Sequence, residues 1–519
     1  MPDSYLFPAL EFMAVLFIFV IGLGAAAIIV LFVIDVCQRR DAIRRNYPVI
    51  GRFRYLFIKL GEFFRQYFFA MDREERPFNR AQRQWVYRSA AARGNTSAFG
   101  STQNNELTGT IIFVNCPFPT LVEDRATGVP KIFGPYSTHP HAPATYFNIS
   151  AMSYGSLSVP AIRALSHGAR MAGCWLNTGE GGLSPYHLEG KCDLVFQIGT
   201  AKFGVRREDG RLCDDKLRSL AAHEQVRMIE LKLSQGAKPG KGGILPAAKI
   251  TPEIARIRGV RQGVDVVSPN RHPEIDSVTD LLDMVEHVRR VTGKPVGFKT
   301  VAGSFSWLEA LCTEVERRGI ETAPDFITLD SSDGGTGAAP MPLLDNVGLS
   351  IRESLPLLAN LLNRHGLKER IRLVASGKLV TPAEVAWALA AGADCVNNAR
   401  GFMFALGCIQ AMRCNQDTCP TGVTTHNPRL QKALDPEDKS IKVANYVFNI
   451  CRDVEIIAHA CGVPGPHRLR PFHVRIMQAN GRSVPLNELF PSTDAADHDP
   501  RVAALAARKA ETVAVPGQS

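Results

Sequence analysis

After Ala144 short apolar runs recur along the chain, each ending in Gly, Ser, Asn or Lys, and most are followed by a pattern of helical period. The runs Phe147–Met152, Trp175–Thr178, Leu194–Ile198, Met228–Leu233, Val296–Thr300, Phe326–Asp330, Ile371–Ala375 and Cys395–Asn398 predict eight strands. Eight strands alternating with helices predict an α/β fold, the (β/α)8 or TIM barrel. Between them, Ser277–Val291 reads as a helix whose Asp280 and Asp283 precede Arg289 and Arg290. Pro382–Ala391 reads as another, with Pro in the first turn and Gly392 just past the end. The stretch from Gly236 to Asp276 is too long for one connection and predicts an excursion over the barrel mouth.

The pattern changes outside this region. Phe12–Ile34 is an uncharged apolar run of 23 residues, long enough to cross a bilayer as a tilted helix. It is too long for a signal peptide and lacks a basic leader and a small-x-small cleavage site. A transmembrane anchor is therefore expected over residues 1–37. Asp3 and Glu11 precede the run, whereas Arg39, Arg40, Arg44 and Arg45 follow it. By the positive-inside rule the short N-terminus is expected outside and the body inside, making a single-pass protein of the cytoplasmic (inner) membrane. Residues 38–107 form a basic juxtamembrane segment and polar linker. Within it, Phe53–Phe69 is apolar but interrupted by Arg54, Lys59, Glu62 and Arg65. It suits either membrane lipid at a leaflet surface or packing on the soluble body.

Residues 108–144 read as a Pro-rich lead-in that packs on the barrel, with one short strand at Ile111–Val114. Its His139 and His141 are expected in an exposed loop. The barrel itself is expected over 145–434, a helical or irregular extension over 435–491, and a frayed tail over 492–519.

Composition adds two constraints. The chain carries a formal net charge of +10, but thirteen Arg and one Lys against five acids lie between Gln38 and Arg93. Nearly all the excess charge sits beside the apolar run, so a nucleic-acid partner is not expected. Twelve cysteines without framework spacing argue for a reducing compartment.

In a barrel of this kind the residues after each strand converge on one mouth. They include Ser153-Tyr154-Gly155, Gly179-Glu180-Gly181-Gly182, Gln197-Ile198-Gly199, Lys238 and Lys299. They continue with Asp333-Gly334-Gly335, Ser376-Gly377-Lys378 and Arg400-Gly401. Glycines let backbone N–H groups approach an anion, and barrel phosphate sites favour the last two loops, where Gly377 and Gly401 lie. Lys238 and Lys299 could supply positive charge beside the edge of a flavin that becomes negative on reduction. Cys408, Cys414 and Cys419 follow the last strand, and their spacing alone suits zinc, iron or ordinary buried thiols.

The ordered runs Asn148-Ile-Ser-Ala-Met-Ser, Asn177-Thr-Gly-Glu-Gly-Gly, Phe203-Gly-Val, Gln235-Gly-Ala-Lys-Pro-Gly, Asp333-Gly-Gly-Thr-Gly-Ala and Ala405-Leu-Gly-Cys resemble the FMN-binding domain of glutamate synthases. The anchored, shortened layout is similar to the stand-alone branch of that family. The resemblance implies that Cys408, Cys414 and Cys419 hold a 3Fe–4S cluster. It implies that Ser153, Gln197, Lys299, Gly334, Gly335, Gly377 and Gly401 lie in FMN-binding loops. Lys238 then falls between flavin and a 2-oxo acid, with Glu180 beside that pocket. The implied reaction is reductive amination of 2-oxoglutarate to glutamate, using ammonia and an external electron donor such as ferredoxin or a membrane-associated reductase.

Three departures stand against the family pattern. The sequence opens Met1-Pro2 rather than on a Cys nucleophile, so ammonia is expected free or from a partner. No strand-linked G-x-G-x-x-G appears for NAD(P)H. The family's Gln and acidic residue are here Ile244 and Leu183. A membrane-bound electron-transfer flavoprotein subunit without amination is therefore the alternative reading.

Overall fold

The computed structural model describes residues 6–492, apart from 39–40, 95, 127, 129–130, 246 and 248–249. The chain divides into two compact units, Met1–Ala81 and Gln82–Ser519.

The first unit begins with helix α1 (Leu6–Cys37), of which Phe7–Cys37 is long and apolar enough to cross a membrane and has none of its most apolar window buried. A short helix, α2 (Ala42–Asn46), leads into α3 (Gly51–Phe64), which a π-helical turn, Arg65–Phe69, continues. Asp41 caps α2 by accepting from the backbone N–H of Ile43 and Arg44.

The second unit holds a closed eight-stranded parallel barrel. Its strands are β1 (Phe147–Ile149), β2 (Leu176–Asn177), β3 (Leu194–Ile198), β4 (Val226–Lys232), β5 (Val296–Val301), β6 (Phe326–Asp330), β7 (Arg372–Ser376) and β8 (Cys395–Asn398). All eight predicted strands are present, and each pairs with its sequence neighbour until β8 closes on β1. The expected helices also form. Val278–Thr292 carries a capping box of Ser277 and Asp280, and Pro382–Ala390 one of Thr381 and Glu384.

Alternation along the strands layers the barrel interior. At the N-terminal end Trp175, Val195, Met228, Phe326, Val374 and Cys395 form an apolar floor. Phe133, from the lead-in, plugs it from below, edge-on to Trp175. Gly297 lies at the same level because any Cβ there would strike the Phe326 carbonyl oxygen at 2.2 Å. One layer higher the chemistry turns polar, with Asn177, Gln197, Glu230 and Thr328 all buried.

The lead-in forms its expected short strand, whereas the C-terminal extension differs from expectation. Ile111–Phe113 pairs with Val474–Met477, which in turn pairs with Ser483–Pro485, giving an antiparallel three-stranded sheet. Residues 435–491 are thus not simply helical or irregular. The strands Val474–Met477 and Ser483–Pro485 are too short to show a period, and the partner of the former, Ile111–Phe113, is remote in the chain. His139 is exposed as expected, but the His141 side chain is largely buried, and its backbone bridges to Phe133 in the plug. The long helix Pro436–Ala460 covers β1, with Tyr446 packed against Phe147 and Phe402. Helix Arg80–Ala90 ends against it, where Asn445 and Asn449 donate to the carbonyls of Ala90 and Ser89. The expected tail lies, after Ser492, outside the described residues.

Candidate active site

Glu230, on β4, is the centre of the polar layer. Asn177 and Gln197 donate to its Oε1 at 2.8 and 2.7 Å, and Thr328 donates to Oε2 at 2.5 Å. Asn177 in turn accepts from the N–H of Gly179, so the buried carboxylate orients the loop that carries Glu180. Sequence reading missed Glu230, although a signal existed. Met228, Glu230 and Lys232 alternate along one strand and therefore share its inward face. Glu230→Ala would leave three donors unpaired in the interior. A loss of roughly 3–5 kcal/mol is expected, checked as a drop in the denaturation midpoint.

Above this layer Lys299 and Asp330 form a buried ion pair at 3.2 Å, and Asp330 also accepts from the N–H of Gly236 at 2.8 Å. The mouth opens into a cleft lined by Glu180, Thr200, Lys232, Gln235, Lys238 and Asn270 among others. The predicted excursion forms one wall of it, through Gly240–Gly243, Pro269 and Asn270. Lys232 Nζ lies 2.8 Å from Glu180 Oε1 and also donates to Gln235. Around Gly243 the Nζ of Lys238, the Oε1 of Glu180 and the Oγ of Ser268 all lie within 4.0 Å of where a Cβ would stand. The two proposed catalytic residues therefore face one point.

Their charges are coupled. Burial pushes the Glu180 carboxyl up, but Lys232, Lys238 and Arg258 outweigh it and hold the group below its usual value. Burial and the nearby Lys232 lower the Lys238 ammonium below an ordinary lysine, against the pull of Glu180. Arg258, from the helix Pro252–Arg258 in the excursion, stacks over Phe203 and donates to the Tyr154 carbonyl at 3.0 Å. Burial brings it down to about 10. Neither Lys232 nor Arg258 stands out in the sequence, because only the folded excursion brings the latter against Gly181, next to Glu180.

The predicted binding loops occupy the same end. Ser153 Oγ donates to Ser156 at 3.0 Å beside the Gly179 turn. Gly334 packs against Asp330, and Gly335 against the Arg400 side chain. Gly377 has φ of +113°, and a Cβ there would meet Ser331 at 2.4 Å. The next residue, Lys378, pairs with Asp333 at 2.8 Å, and Arg400 donates to the Asp333 carbonyl at 2.9 Å. Gly401 is different: its close neighbour is the Tyr446 hydroxyl, 2.1 Å from where a Cβ would stand, so the residue serves packing of the long helix. Leu183 is half-buried beside Gly204. The backbone of Ile244 opens a short strand, and its side chain lies outside the described residues.

The residues present fit a flavin phosphate in kind. Lys378 and Arg400 converge on one carboxylate-bearing residue at the glycine turns after β7 and β8, where barrels bind phosphate.

The cysteine loop runs from Cys408 to Cys419. Tyr87 donates to the Cys408 carbonyl at 2.6 Å, and Cys408 Sγ accepts from the Gln410 N–H at 3.4 Å. Burial drives the Cys408 thiol up to about 11, and charge at Cys414 and Cys419 adds to the effect. Burial also pushes Cys419 up, but hydrogen bonds from Thr421 and Thr424 outweigh it and hold that thiol below its usual value. Among the described residues no three His, Cys, Asp or Glu converge on a single-ion site. A cluster spreads its thiolate ligands over several irons, so a donor set of three sulfurs on one loop fits it in kind. The loop's far end docks on the mouth: Ser158 N–H donates to the Val423 carbonyl at 3.0 Å, and His426 Nε2 lies 2.8 Å from the Gly155 carbonyl oxygen.

Two neutral histidines pin these loops. His187 joins Ser184 and the Met152 carbonyl, and His272 meets the Lys232 carbonyl. Burial, joined at His272 by Lys202, lowers both to about 4, against about 6.5 in an unfolded chain. Between those values the unfolded chain binds more protons. Their contribution is thus complete above pH of about 6.5 and is lost as pH falls toward about 4. A thermal-melting series over that window should show the midpoint falling with acid.

Residues 132–464 match the conserved region in glutamate synthase. The glutamate synthase large subunit-like protein YerD of Bacillus subtilis is 39% identical over 514 residues, covering 91% of this chain and 97% of that protein. The archaeal-type glutamate synthase (NADPH) of Thermotoga maritima is 33% identical over 323 residues, 62% of this chain and 60% of that one. The archaeal glutamate synthase (NADPH) of Methanocaldococcus jannaschii is 35% identical over 344 residues, 66% and 62% of the two chains. The chain thus spans about three fifths of the length of those archaeal-type relatives. With the profile match, the near-complete alignment to YerD and the closed barrel in agreement, this chain belongs to the glutamate synthase family.

Proposed function

We propose that the protein is a glutamate synthase-type oxidoreductase that reductively aminates a 2-oxo acid with ammonia. The observation that carries this reading is the convergence of Lys238, Lys232 and Glu180 on one cleft at the barrel mouth. FMN held by the β7 and β8 loops would supply hydride to an imine carbon, and a 3Fe–4S cluster on Cys408, Cys414 and Cys419 would relay electrons from an external donor.

The chain's own residues do the rest. Lysines 232, 238 and 241 line the cleft against one carboxylate, Glu180, so the site attracts an anionic acid. Lys238 Nζ donates a proton to the 2-oxo oxygen as ammonia adds, and that oxygen leaves as water. Glu180 accepts the proton released from the incoming nitrogen and returns it to that oxygen as the second proton of the departing water, while Lys232 orients its carboxylate. The parent substrate is 2-oxoglutarate, while Leu183 and Ile244 replace two polar groups of the family pattern and favour a less polar acid. The apolar α1 anchors the protein in the cytoplasmic membrane with the barrel inside, facing ferredoxin or a membrane-associated reductase.

The test uses detergent-solubilised full-length protein prepared without oxygen. Its flavin is reduced, ammonia and 2-oxoglutarate are added, and flavin reoxidation is followed together with glutamate. Coupled reoxidation and glutamate formation are the expected result. A bound flavin that ignores both compounds, and other 2-oxo acids with them, would leave the electron-transfer role instead.

A further inference from the structure

The first charged residue after the uncharged run 12–34 is Asp35. It is fully buried in the last turn of α1. Its carboxylate accepts from Arg44 Nε and Nη2 at 2.9 and 2.6 Å and from the Val49 N–H at 3.1 Å. It also accepts from Arg52 Nε and Nη2, both at 2.7 Å. Arg52 is the second residue of α3. The start of α3 is therefore clamped to the end of α1. If α1 crosses the bilayer, α3 begins at headgroup level.

Along α3 and its π-helical continuation the apolar residues recur at helical spacing. Phe53, Leu56, Phe57, Leu60, Phe63 and Phe64 fall on one stripe, all between 38% and 65% exposed. Tyr67 and Phe68 extend it, with Phe63 and Tyr67 rings 4.9 Å apart. Arg54, Lys59 and Arg65, against Glu62 alone, occupy the other side. A second crossing would carry Lys59 and Glu62 into the hydrocarbon, at about 2.5–3.5 kcal/mol for a lysine at the centre. A helix lying flat sinks only the aromatic stripe and leaves the cations among phosphates.

We propose that residues 51–69 form an interfacial helix seated in the anionic cytoplasmic leaflet of the bilayer that α1 crosses, with the Asp35–Arg52 clamp setting its depth. This rests on the reading of α1 as the anchor. Charge complementarity and covalent continuity with α1 select lipid as the occupant.

Two tryptophan variants of the full-length chain test it, Phe19→Trp in α1 and Phe57→Trp in α3. Each is reconstituted in phosphatidylcholine–phosphatidylglycerol vesicles with and without acyl-chain bromination, and the wild-type signal is subtracted. Both variants should lose most of their added fluorescence in brominated lipid. Adding Arg54→Glu, Lys59→Glu and Arg65→Glu together should restore the Phe57→Trp signal and leave the Phe19→Trp quenching unchanged. Quenching of Phe19→Trp with a bright Phe57→Trp would overturn the interfacial helix while sparing the anchor. An unquenched Phe19→Trp would remove the anchor and the helix reading with it. Equal quenching after charge reversal would refute the anionic requirement.

Discussion

Lys238→Met is expected to cut kcat for amino-acid formation by roughly 10²–10⁴-fold, the range for loss of a positioned proton donor, without loss of bound flavin or iron. Methionine nearly preserves side-chain volume and removes the charge, so the cleft keeps its shape while the 2-oxo oxygen loses its acid. The pH profile separates this role from a structural one. Because burial and Lys232 hold the Lys238 ammonium below an ordinary lysine, the alkaline limb of kcat/KM should fall earlier than a solvated lysine would dictate. Lys238→Arg keeps the charge and should move that limb upward, with activity partly retained. If Lys238→Met leaves kcat unchanged, the proton donor lies elsewhere in the cleft. If flavin is lost as well, the residue is structural.

Loss of one of the three thiolates proposed to hold the cluster should have an effect of similar size on a different step. Cys414→Ser is expected to abolish turnover driven by an external electron donor and to lower iron content. It should leave flavin binding and single turnover after chemical reduction intact. Cys414 is half-exposed on a surface loop, so its replacement should spare the barrel. Cys408 and Cys419 are more enclosed, and their thiols are tied to Gln410, Thr421 and Thr424. Replacement at those positions should also disturb the loop that docks on Gly155 through His426. Metal analysis together with stopped-flow flavin reduction separates the outcomes. Full donor-driven turnover by the iron-free variant would remove the cluster from the electron path.

The strands were legible because each lies in a short apolar run followed by Gly, Ser, Asn or Lys, a local signal that packing in a parallel barrel reinforces. The mouth loops were legible for the same reason. Strand direction fixes which end they occupy, so Ser153, Glu180, Lys299, Gly334 and Gly377 could be assigned to one face from order alone. The long apolar helix was legible from twenty-three uncharged residues in a row.

What the chain could not disclose were relations between distant segments. Glu230 is one acid in an apolar strand until the barrel closes and brings Asn177, Gln197 and Thr328 around it. Arg258 lies in an excursion whose path no periodicity predicts, yet it comes to sit beside Glu180. Gly401 resembles a phosphate-loop glycine in sequence, and only the Tyr446 hydroxyl pressed against it reveals a packing role. Asp35 looks like the end of an apolar run, and only the folded turn gathers Arg44 and Arg52 onto it. Local propensity and period determine which elements exist. Side-chain charge and contact at long range are decided by tertiary structure, because burial and a few ångströms of separation set their energies.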